Sequence, residues 1–310
     1  MKPKITVLGL CGSSLFFAVP NFHRSGETVH ASTLYTEPGG KGSNQAVAAA
    51  SLGAEARFLS CMGRDAAAKN CVDYMEHRFV KCFTEYTDRA ATACASILTD
   101  PTGDNQVTVY RGAADCLSAE FVRAQERVIA DAELLLLNNE CPIEANLAAL
   151  ELAEQHGVPA ILNPAPYAEL PLEYLRRFAL ITPNRHEAEA LLKLPSGQPV
   201  GKLLRGLRAL GIERAVITLG GEGAAAMDGD NIFLCPALPV TAVDTTGAGD
   251  CFNAALAVSL AQGAALPEAV VGAVNASALS VQRHFVMPSL PTEAEWKEKF
   301  VNLTIQTLKL

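Results

Sequence analysis

An acidic residue follows a glycine-rich turn in the segment 243–250, which reads VDTTGAGD. The two glycines leave little side chain in the way, so consecutive backbone N–H groups can point at one anion. The apolar run at 251–260 predicts a helix that starts here, and its dipole favours negative charge at this end. Asp250 could take a proton from a hydroxyl group while the amides stabilise a transferred phosphoryl group. The segment indicates phosphoryl transfer to an alcohol, although an Asp in a first helical turn is also common for dipole reasons alone.

A second glycine-rich segment, PGGKGSNQA at 38–46, leads into a helical run at 47–52 that Gly53 is placed to end. It is not a Walker A phosphate loop, because Lys41 is followed by Gly rather than by Ser or Thr. The residues alone leave two interpretations open. One is a ligand-binding loop, and the other is a helix N-terminus capped by Ser43 with Lys41 in solvent.

The rest of the chain predicts alternating strands and helices that would position these segments. Strand-like and helical runs follow one another at 5–10, 57–61, 134–138, 143–156, 158–163, 179–184 and 215–219. This order predicts right-handed crossovers and a mainly parallel sheet covered by helices. Ligands of such sheets lie at the carboxyl ends of the strands. Glu140 follows a strand at that edge and is a candidate site residue, with a capping or loop carboxylate as the alternative.

Further strand-like stretches lie outside this alternation. Residues 93–98 and 105–111 flank the turn signal DPTGD, and a looser alternation covers 16–36. These stretches are predicted to pair into one small sheet. Surface hairpins with no gating role are the alternative.

Several of these segments resemble the motifs of the ribokinase-like (PfkB) family of carbohydrate kinases, and they occur in that family's order. The resemblance runs from Val7 to Ser289, and GGKGSNQA and DTTGAGD are long enough to be specific. It implies a three-layer α/β/α fold with a mainly parallel sheet and a small β-sheet lid. It implies one kinase domain over 1–310, with a lid formed by about 13–37 and 92–112.

The family resemblance also implies an activity, namely ATP-dependent transfer of the γ-phosphate to a primary hydroxyl of a sugar. The implied catalytic residues are Asp250 as the base and Gly247, Ala248 and Gly249 as the anion cradle. The implied substrate-binding residues are Gly12, Ser14, Gly40, Lys41, Asn44, Glu140 and Asp250. The implied nucleotide-binding residues are Asn184, Thr218, Gly220, Gly223 and Asn275.

The resemblance implies two metal ions besides ATP. Glu187 would organise the Mg²⁺ and water region together with Asn184, although this pair also reads as a capping box. Asp244 would help the loop 282–289 to hold a monovalent cation such as K⁺. Phe285 stands where that loop usually has a glycine.

The sugar itself is less strongly indicated. The segments GGKGSNQA and NPAP at 163–166 favour ribose, but Gly12 and Ser14 stand where the family usually presents an Asn and an Asp to sugar hydroxyls. Another sugar or a nucleoside is therefore the alternative substrate. A sugar sensor without turnover is disfavoured because Asp250 and the glycine turn are intact. A nicotinamide dehydrogenase lacks its full glycine fingerprint here.

Composition limits the partners. The net charge of −8 argues against non-specific binding to nucleic acid or to an anionic membrane. No apolar run approaches a membrane span. The nine scattered cysteines, without a C-x-x-C pair, fit reduced thiols in a cytoplasm. The family resemblance implies a homodimer formed through the lid.

Overall fold

The computed structural model describes residues 2–309. Its strands are β1 (Lys4–Leu8), β2 (Gly12–Ala18), β3 (Thr33–Gly39), β4 (Glu55–Gly63), β5 (Lys81–Thr87), β6 (Ala93–Thr99), β7 (Asn105–Tyr110), β8 (Leu134–Asn138), β9 (Ala160–Asn163), β10 (Leu180–Ile181), β11 (Arg214–Thr218), β12 (Ala224–Asp228), β13 (Asn231–Cys235) and β14 (Gln306–Lys309). Its α-helices are α1 (Lys41–Ser51), α2 (Ala66–His77), α3 (Ala119–Ala124), α4 (Glu126–Ala130), α5 (Ile143–Gln155), α6 (Leu172–Leu175), α7 (Arg185–Leu191), α8 (Val200–Ala209), α9 (Ala248–Ala261), α10 (Leu266–Ser280) and α11 (Glu293–Glu298).

The large sheet has the order β14-β13-β12-β11-β10-β9-β8-β1-β4-β5, and its strands from β5 to β11 run parallel. Its central strands are buried on both faces, as the continuous apolar run of β8 predicts. One core lies between the sheet and α1, α2, α9 and α10, and a second lies between the opposite face and α3 to α8. The prediction of a three-layer α/β/α fold is therefore confirmed.

A separate small sheet has the order β3-β2-β6-β7. Strand β2 pairs antiparallel with β3 and parallel with β6, so the stretches predicted from the sequence do form one sheet. Successive residues of a strand point to opposite faces, and directly paired residues share a face. Gly12, Ser14 and Phe16 therefore lie on the same face as Glu37 and Gly39. This face lines a cavity next to the large sheet.

Two local interpretations of the sequence are wrong, namely the alternative in which Ser43 caps a helix and the closing helix that residues 291–310 suggest. Helix α1 begins at Lys41 with Gly40 as its N-cap, so Ser43 does not cap it. Ser43 is buried in the first turn, where its hydroxyl donates to the Gly40 carbonyl at 3.0 Å. A closing helix over 291–310 is also absent from the part of the chain that the structure describes, because α11 is short and β14 pairs with β13.

None of the helices between residues 2 and 309 combines the length and the apolar character needed to cross a bilayer.

Candidate active site

Two cavities meet at the carboxyl ends of the parallel strands. One, of about 560 Å³, lies under the small sheet, and the other, of about 240 Å³, lies at the start of α9. Both are lined by Lys41, Gly247 and Asp250. A ligand in the first cavity and a ligand in the second would therefore both touch the Asp250 region.

The start of α9 has the geometry of an anion cradle. Gly247 is the N-cap with φ 75°, a left-handed conformation that favours glycine. A Cβ atom at this position would lie 2.5 Å from Val286 Cγ1, so space also excludes a side chain. Gly249 lines the smaller cavity together with Gly247, whereas Ala248 lines neither cavity with its side chain. The amide of Ala248 donates to the carbonyl of Thr245 at 3.2 Å, whereas the amides of Gly249 and Asp250 have no backbone carbonyl partner among residues 2–309 and are available to an anion.

Asp250 lies in the first turn of α9 and is 6% exposed. Its Oδ2 accepts from Asn44 Nδ2 at 2.8 Å, and its Oδ1 accepts from Gln45 Nε2 at 3.1 Å. Burial raises the pKa of this carboxyl, while Lys41 and the two amide donors oppose the rise. The carboxylate is thus held in a fixed orientation and is more basic than an exposed Asp, as a general base requires.

Lys41 is the first residue of α1, and the positive φ of 109° at Gly40 turns the chain into that helix. Three carboxylates raise the pKa of the Lys41 ammonium, with Asp250 first, then Glu140 and Glu187. Lys41 remains charged and lies between the two cavities. It can neutralise anionic groups on either side.

Glu140 follows β8 and closes one side of the larger cavity. Its Oε2 accepts the Gly42 amide at 3.2 Å. Burial, and secondly the charge of Asp250, raise its pKa from 4.5 to about 7, although Lys41 lowers it. At neutral pH this side chain can therefore both accept and donate a hydrogen bond.

Asn44 also lines the larger cavity. Its Nδ2 is bound to Asp250, whereas its buried Oδ1 has no hydrogen-bond partner among residues 2–309. An unpaired buried acceptor is costly, so a bound hydroxyl group that donates to this oxygen would be stabilised.

The small sheet covers the larger cavity with a mostly apolar face formed by Phe16, Ile97, Val107 and Val109, among others. Gly12 is packed tightly, because a Cβ atom there would lie 2.1 Å from the carbonyl oxygen of Ala93. Strand pairing thus explains the glycine at this position.

Ser14, also on this face, pairs with Glu37 across the two strands, and both line the cavity. Glu37 is the residue that the motif analysis missed here. Glu37 is only 5% exposed. In the sequence, the available signal is a charged residue directly after the strand-like stretch 16–36 and before the glycine-rich segment 38–46.

Among the candidate nucleotide residues, Asn184, Glu187 and Thr218 line the smaller cavity. Asn184 and Glu187 do form the capping box of α7, since Asn184 Oδ1 accepts the Glu187 amide and Glu187 Oε2 accepts the Asn184 amide, both at 2.8 Å. Gly220 and Gly223 lie just beyond β11 at the same edge but line neither cavity.

Two other candidates lie outside both cavities. Asn275 is 1% exposed, and its side chain binds the backbone of Val271 and of Val301, at 2.7 to 3.0 Å. It fixes the segment after α11 against α10. Asp244 accepts the amides of Thr246 and Phe285 at 2.9 and 3.0 Å.

A chain of buried amides and hydroxyls behind Asp250 was also missed by the motif analysis. Gln45 Nε2 donates to Asn163 Oδ1 at 3.1 Å, and Asn163 Nδ2 donates to the carbonyl of Thr182 at 3.0 Å. The hydroxyl of Thr182 donates to Asn253. Asn163 is the last residue of the parallel strand β9. A polar residue at the carboxyl end of such a strand is the signal in the sequence that could have identified it as a site residue.

Comparison with known proteins gives a consistent result. A family model described as pfkB family carbohydrate kinase matches residues 2–293. A ribokinase of Haemophilus influenzae is 34% identical over 305 residues, covering 96% of this chain and 98% of that protein. The structure of a Thermotoga maritima ribokinase, 32% identical, covers 95% of this chain and 98% of its own, with a TM-score of 0.86. The structure of an Arabidopsis thaliana ribokinase complexed with ribose and ATP is 26% identical in sequence. The match covers 97% of this chain and 99% of that chain, with a TM-score of 0.89.

Proposed function

The chain belongs to the pfkB family of carbohydrate kinases, and we propose that it phosphorylates ribose at the primary hydroxyl, with ATP as the phosphoryl donor. The observation that carries this proposal is that the two cavities share Asp250, Lys41 and Gly247. We assign the sugar to the cavity under the small sheet and the phosphates of ATP to the cavity at α9.

In the proposed mechanism, Asp250 takes the proton of the primary hydroxyl as its oxygen attacks the γ-phosphorus atom. Asn44 and Gln45 hold the carboxylate in place for this step. The amides of the turn at Gly247 and Gly249 and the ammonium group of Lys41 stabilise the charge on the moving phosphoryl group. The leaving ADP oxygen departs on the side of the smaller cavity.

Mg²⁺ fits the smaller cavity as an ion held mainly by phosphate oxygens and water. Within residues 2–309 no cluster of three or more acidic, Cys or His side chains could hold a metal by itself. Besides the proposed base Asp250, the smaller cavity has one carboxylate, Glu187, and this suits Mg²⁺, which keeps several waters and binds through few protein groups. When bound, the ion would neutralise charge on the transferred phosphate.

A second substrate class has support from the cavity itself. Its cover is mostly apolar, and its volume of about 560 Å³ lies within the ~300–1,000 Å³ of small-molecule pockets in general, so it does not restrict the ligand to a free sugar. A nucleoside would place a base against that apolar face. Gly12 and Ser14, which offer few polar groups to a sugar ring, favour the same alternative.

We further propose that the small sheet acts as a lid and forms a homodimer. On the face that lines the larger cavity, Val107 and Val109 remain 53% and 57% exposed, so the cavity alone does not cover them. Such apolar exposure is typical of a surface that another chain covers. The nine cysteines are all unpaired, which supports a reducing compartment such as a cytoplasm.

The first test is ADP release by the purified protein with ATP and Mg²⁺ across ribose, deoxyribose, fructose, tagatose phosphate and nucleosides. We expect selective turnover of ribose. Turnover of another compound would contradict ribose and make Gly12 and Ser14 the specificity switch. Silence across the panel with sugar still bound would favour a sensor.

The matched variants for this assay are Asp250→Asn and, as a control, Asp88→Asn at an exposed carboxylate. We expect Asp250→Asn to lower kcat by a factor of about 10² or more, because a positioned base contributes about that much. Sugar affinity measured by calorimetry should change far less. A kcat near that of the unaltered protein would contradict the role of Asp250.

A further inference from the structure

Three consecutive amides of the loop 282–289 are bound by two buried or partly buried carboxylates. The amide of Phe285 donates to Asp244 Oδ2 at 3.0 Å. The amides of Val286 and Met287 donate to Glu37 Oε1 and Oε2 at 2.9 and 3.0 Å. Glu37 comes from β3 of the small sheet, more than 200 residues away along the chain. The loop is therefore attached to the small sheet by a carboxylate that uses both of its oxygens.

The same loop supports the anion cradle. Val286 fills the space beside Gly247, where a Cβ atom would approach Val286 Cγ1 to 2.5 Å. Asp244, which holds the Phe285 amide, also accepts the Thr246 amide directly before the cradle at 2.9 Å. A displacement of this loop would therefore displace the cradle.

The backbone of Phe285 has an unfavourable conformation, so other contacts must hold the loop in place. Its φ of 64° is a left-handed conformation that is unfavourable for a bulky residue. Its ring stacks on Tyr35 with a centroid distance of 4.0 Å and contacts Phe16 edge-on at 5.3 Å. Tyr35 and Glu37 lie on the same face of β3. Aromatic stacking and the Glu37 carboxylate thus act together to fix the loop to the small sheet.

We infer that Glu37 is a positioning residue for phosphoryl transfer, which holds the loop 284–287 against Gly247 in place of a bound monovalent cation. This inference rests on the proposed kinase mechanism and adds a residue that does not touch the reacting atoms. Glu37 acts through Val286 on the turn whose amides receive the phosphoryl group.

The residues of the loop fit a monovalent cation poorly. The carbonyl oxygen of Val281 accepts two backbone amides, and that of Val286 accepts both the amide and the hydroxyl of Ser289. The guanidinium of Arg78 donates to the carbonyl of Met287 at 3.3 Å, which puts positive charge beside the loop. Because like charges repel, the Arg78 guanidinium disfavours a cation bound beside it. Three carbonyls of the loop, those of Val286, Met287 and Ser289, thus accept from groups of the chain itself, which leaves fewer oxygens for a cation.

The first arm of the test uses the unaltered protein. Turnover is measured with saturating substrates in KCl, NaCl and tetramethylammonium chloride at equal ionic strength. We expect the three rates to agree within threefold. A rate in KCl that exceeds the others by more than threefold would overturn the inference. The assay uses whichever sugar of the panel is turned over, so a substrate other than ribose would contradict the proposed function while the cation result stays valid.

The second arm compares Glu37→Gln with Glu76→Gln, a control at an exposed carboxylate on α2. The amide nitrogen of Gln cannot accept a backbone N–H, so one of the two loop contacts is lost. We expect kcat to fall tenfold or more while KM for the sugar stays within threefold, because the effect passes through the cradle. A smaller loss of kcat, or a rise in KM that exceeds the loss of kcat, would overturn the positioning role.

A third arm separates positioning from a general loss of packing. In Glu37→Ala, added formate or acetate can occupy the vacated carboxylate position, and we expect it to restore part of the lost kcat. No recovery at any concentration would contradict the inference. If neither Glu37 variant yields folded protein, the comparison of turnover in KCl, NaCl and tetramethylammonium chloride on the unaltered protein tests the inference.

Discussion

At the scale of single residues, the site is organised by one ammonium group among three carboxylates. Asp250, Glu140 and Glu187 all raise the pKa of Lys41, and burial raises the pKa of each carboxyl in turn. One positive charge cannot fully compensate three carboxyl groups, of which Asp250 is buried and Glu140 and Glu187 are partly buried. The folded protein therefore carries excess negative charge here at neutral pH, which a bound divalent cation or a proton can relieve.

This excess charge makes a prediction for Glu140→Gln. The pKa of Glu140 is about 7 in the folded protein and 4.5 ordinarily. A raised carboxyl pKa means that its stabilising contribution is complete below pH 4.5 and is lost as the pH rises through 7. The variant lacks the charge, so we expect its free energy of unfolding at pH 8 to exceed that of the unaltered protein by about 3 kcal/mol, because each pKa unit corresponds to about 1.4 kcal/mol.

Urea unfolding at pH 4.5 and pH 8 checks this prediction. The difference between the two proteins should vanish at pH 4.5, where Glu140 is protonated. Glu298→Gln, at an exposed position, serves as the control for replacing a carboxylate by an amide. A variant that is less stable at pH 8 would show that the carboxylate is not destabilised by its surroundings.

At the scale of elements, the start of α9 depends on a backbone conformation that side chains disfavour. Gly247→Ala would introduce a Cβ atom at φ 75° and 2.5 Å from Val286. We expect the turn to shift and kcat to fall by a factor of about 10 to 100, since misplaced oxyanion donors cost this much or more. Single-turnover kinetics would measure the loss.

The matched control for Gly247→Ala is Gly201→Ala in α8. A Cβ atom at Gly201 meets only the flexible end of Arg205 at 3.5 Å, so this substitution should leave kcat unchanged. Equal effects of the two variants would indicate that the loss at Gly247 is not specific to the cradle.

Elements whose identity depends on local sequence could be predicted, and elements that depend on a distant partner could not. The apolar run of β8 and the glycine turn before α9 carry their own signals. By contrast, β14 is a strand because it pairs with the edge of β13, and α1 starts at Lys41 because Gly40 fits against Leu10. Local patterns contain neither contact.

The same division applies to the site. Asp250, Lys41 and Asn44 stand in segments with recognisable motifs and line the cavities. Glu37 stands in no such motif, because its role depends on amides about 250 residues further along the chain. Glycine at 12 follows from the close approach of Ala93, a tertiary contact that no local pattern encodes.

At the scale of the whole molecule, the proposed dimer predicts a doubled mass. Light scattering should give twice 32.8 kDa. Val107→Arg introduces a charge on the exposed apolar face of β7, and we expect it to yield monomers because a buried unpaired charge is costly. Thr108→Arg, on the opposite face of the same strand, should remain dimeric. A monomeric mass for the unaltered protein would contradict the dimer.

The strand order of the large sheet has a consequence for synthesis on the ribosome. Strand β1 lies between β4 and β8, and Ile5 pairs with Leu134, 129 residues later. Translation proceeds at ~5–20 residues per second, so β8, the second neighbour of β1, is synthesised on the order of ten seconds after β1. During that time an apolar strand has one open edge and is prone to pair with other chains. The nascent protein should therefore depend on chaperones most strongly while residues 60–134 emerge.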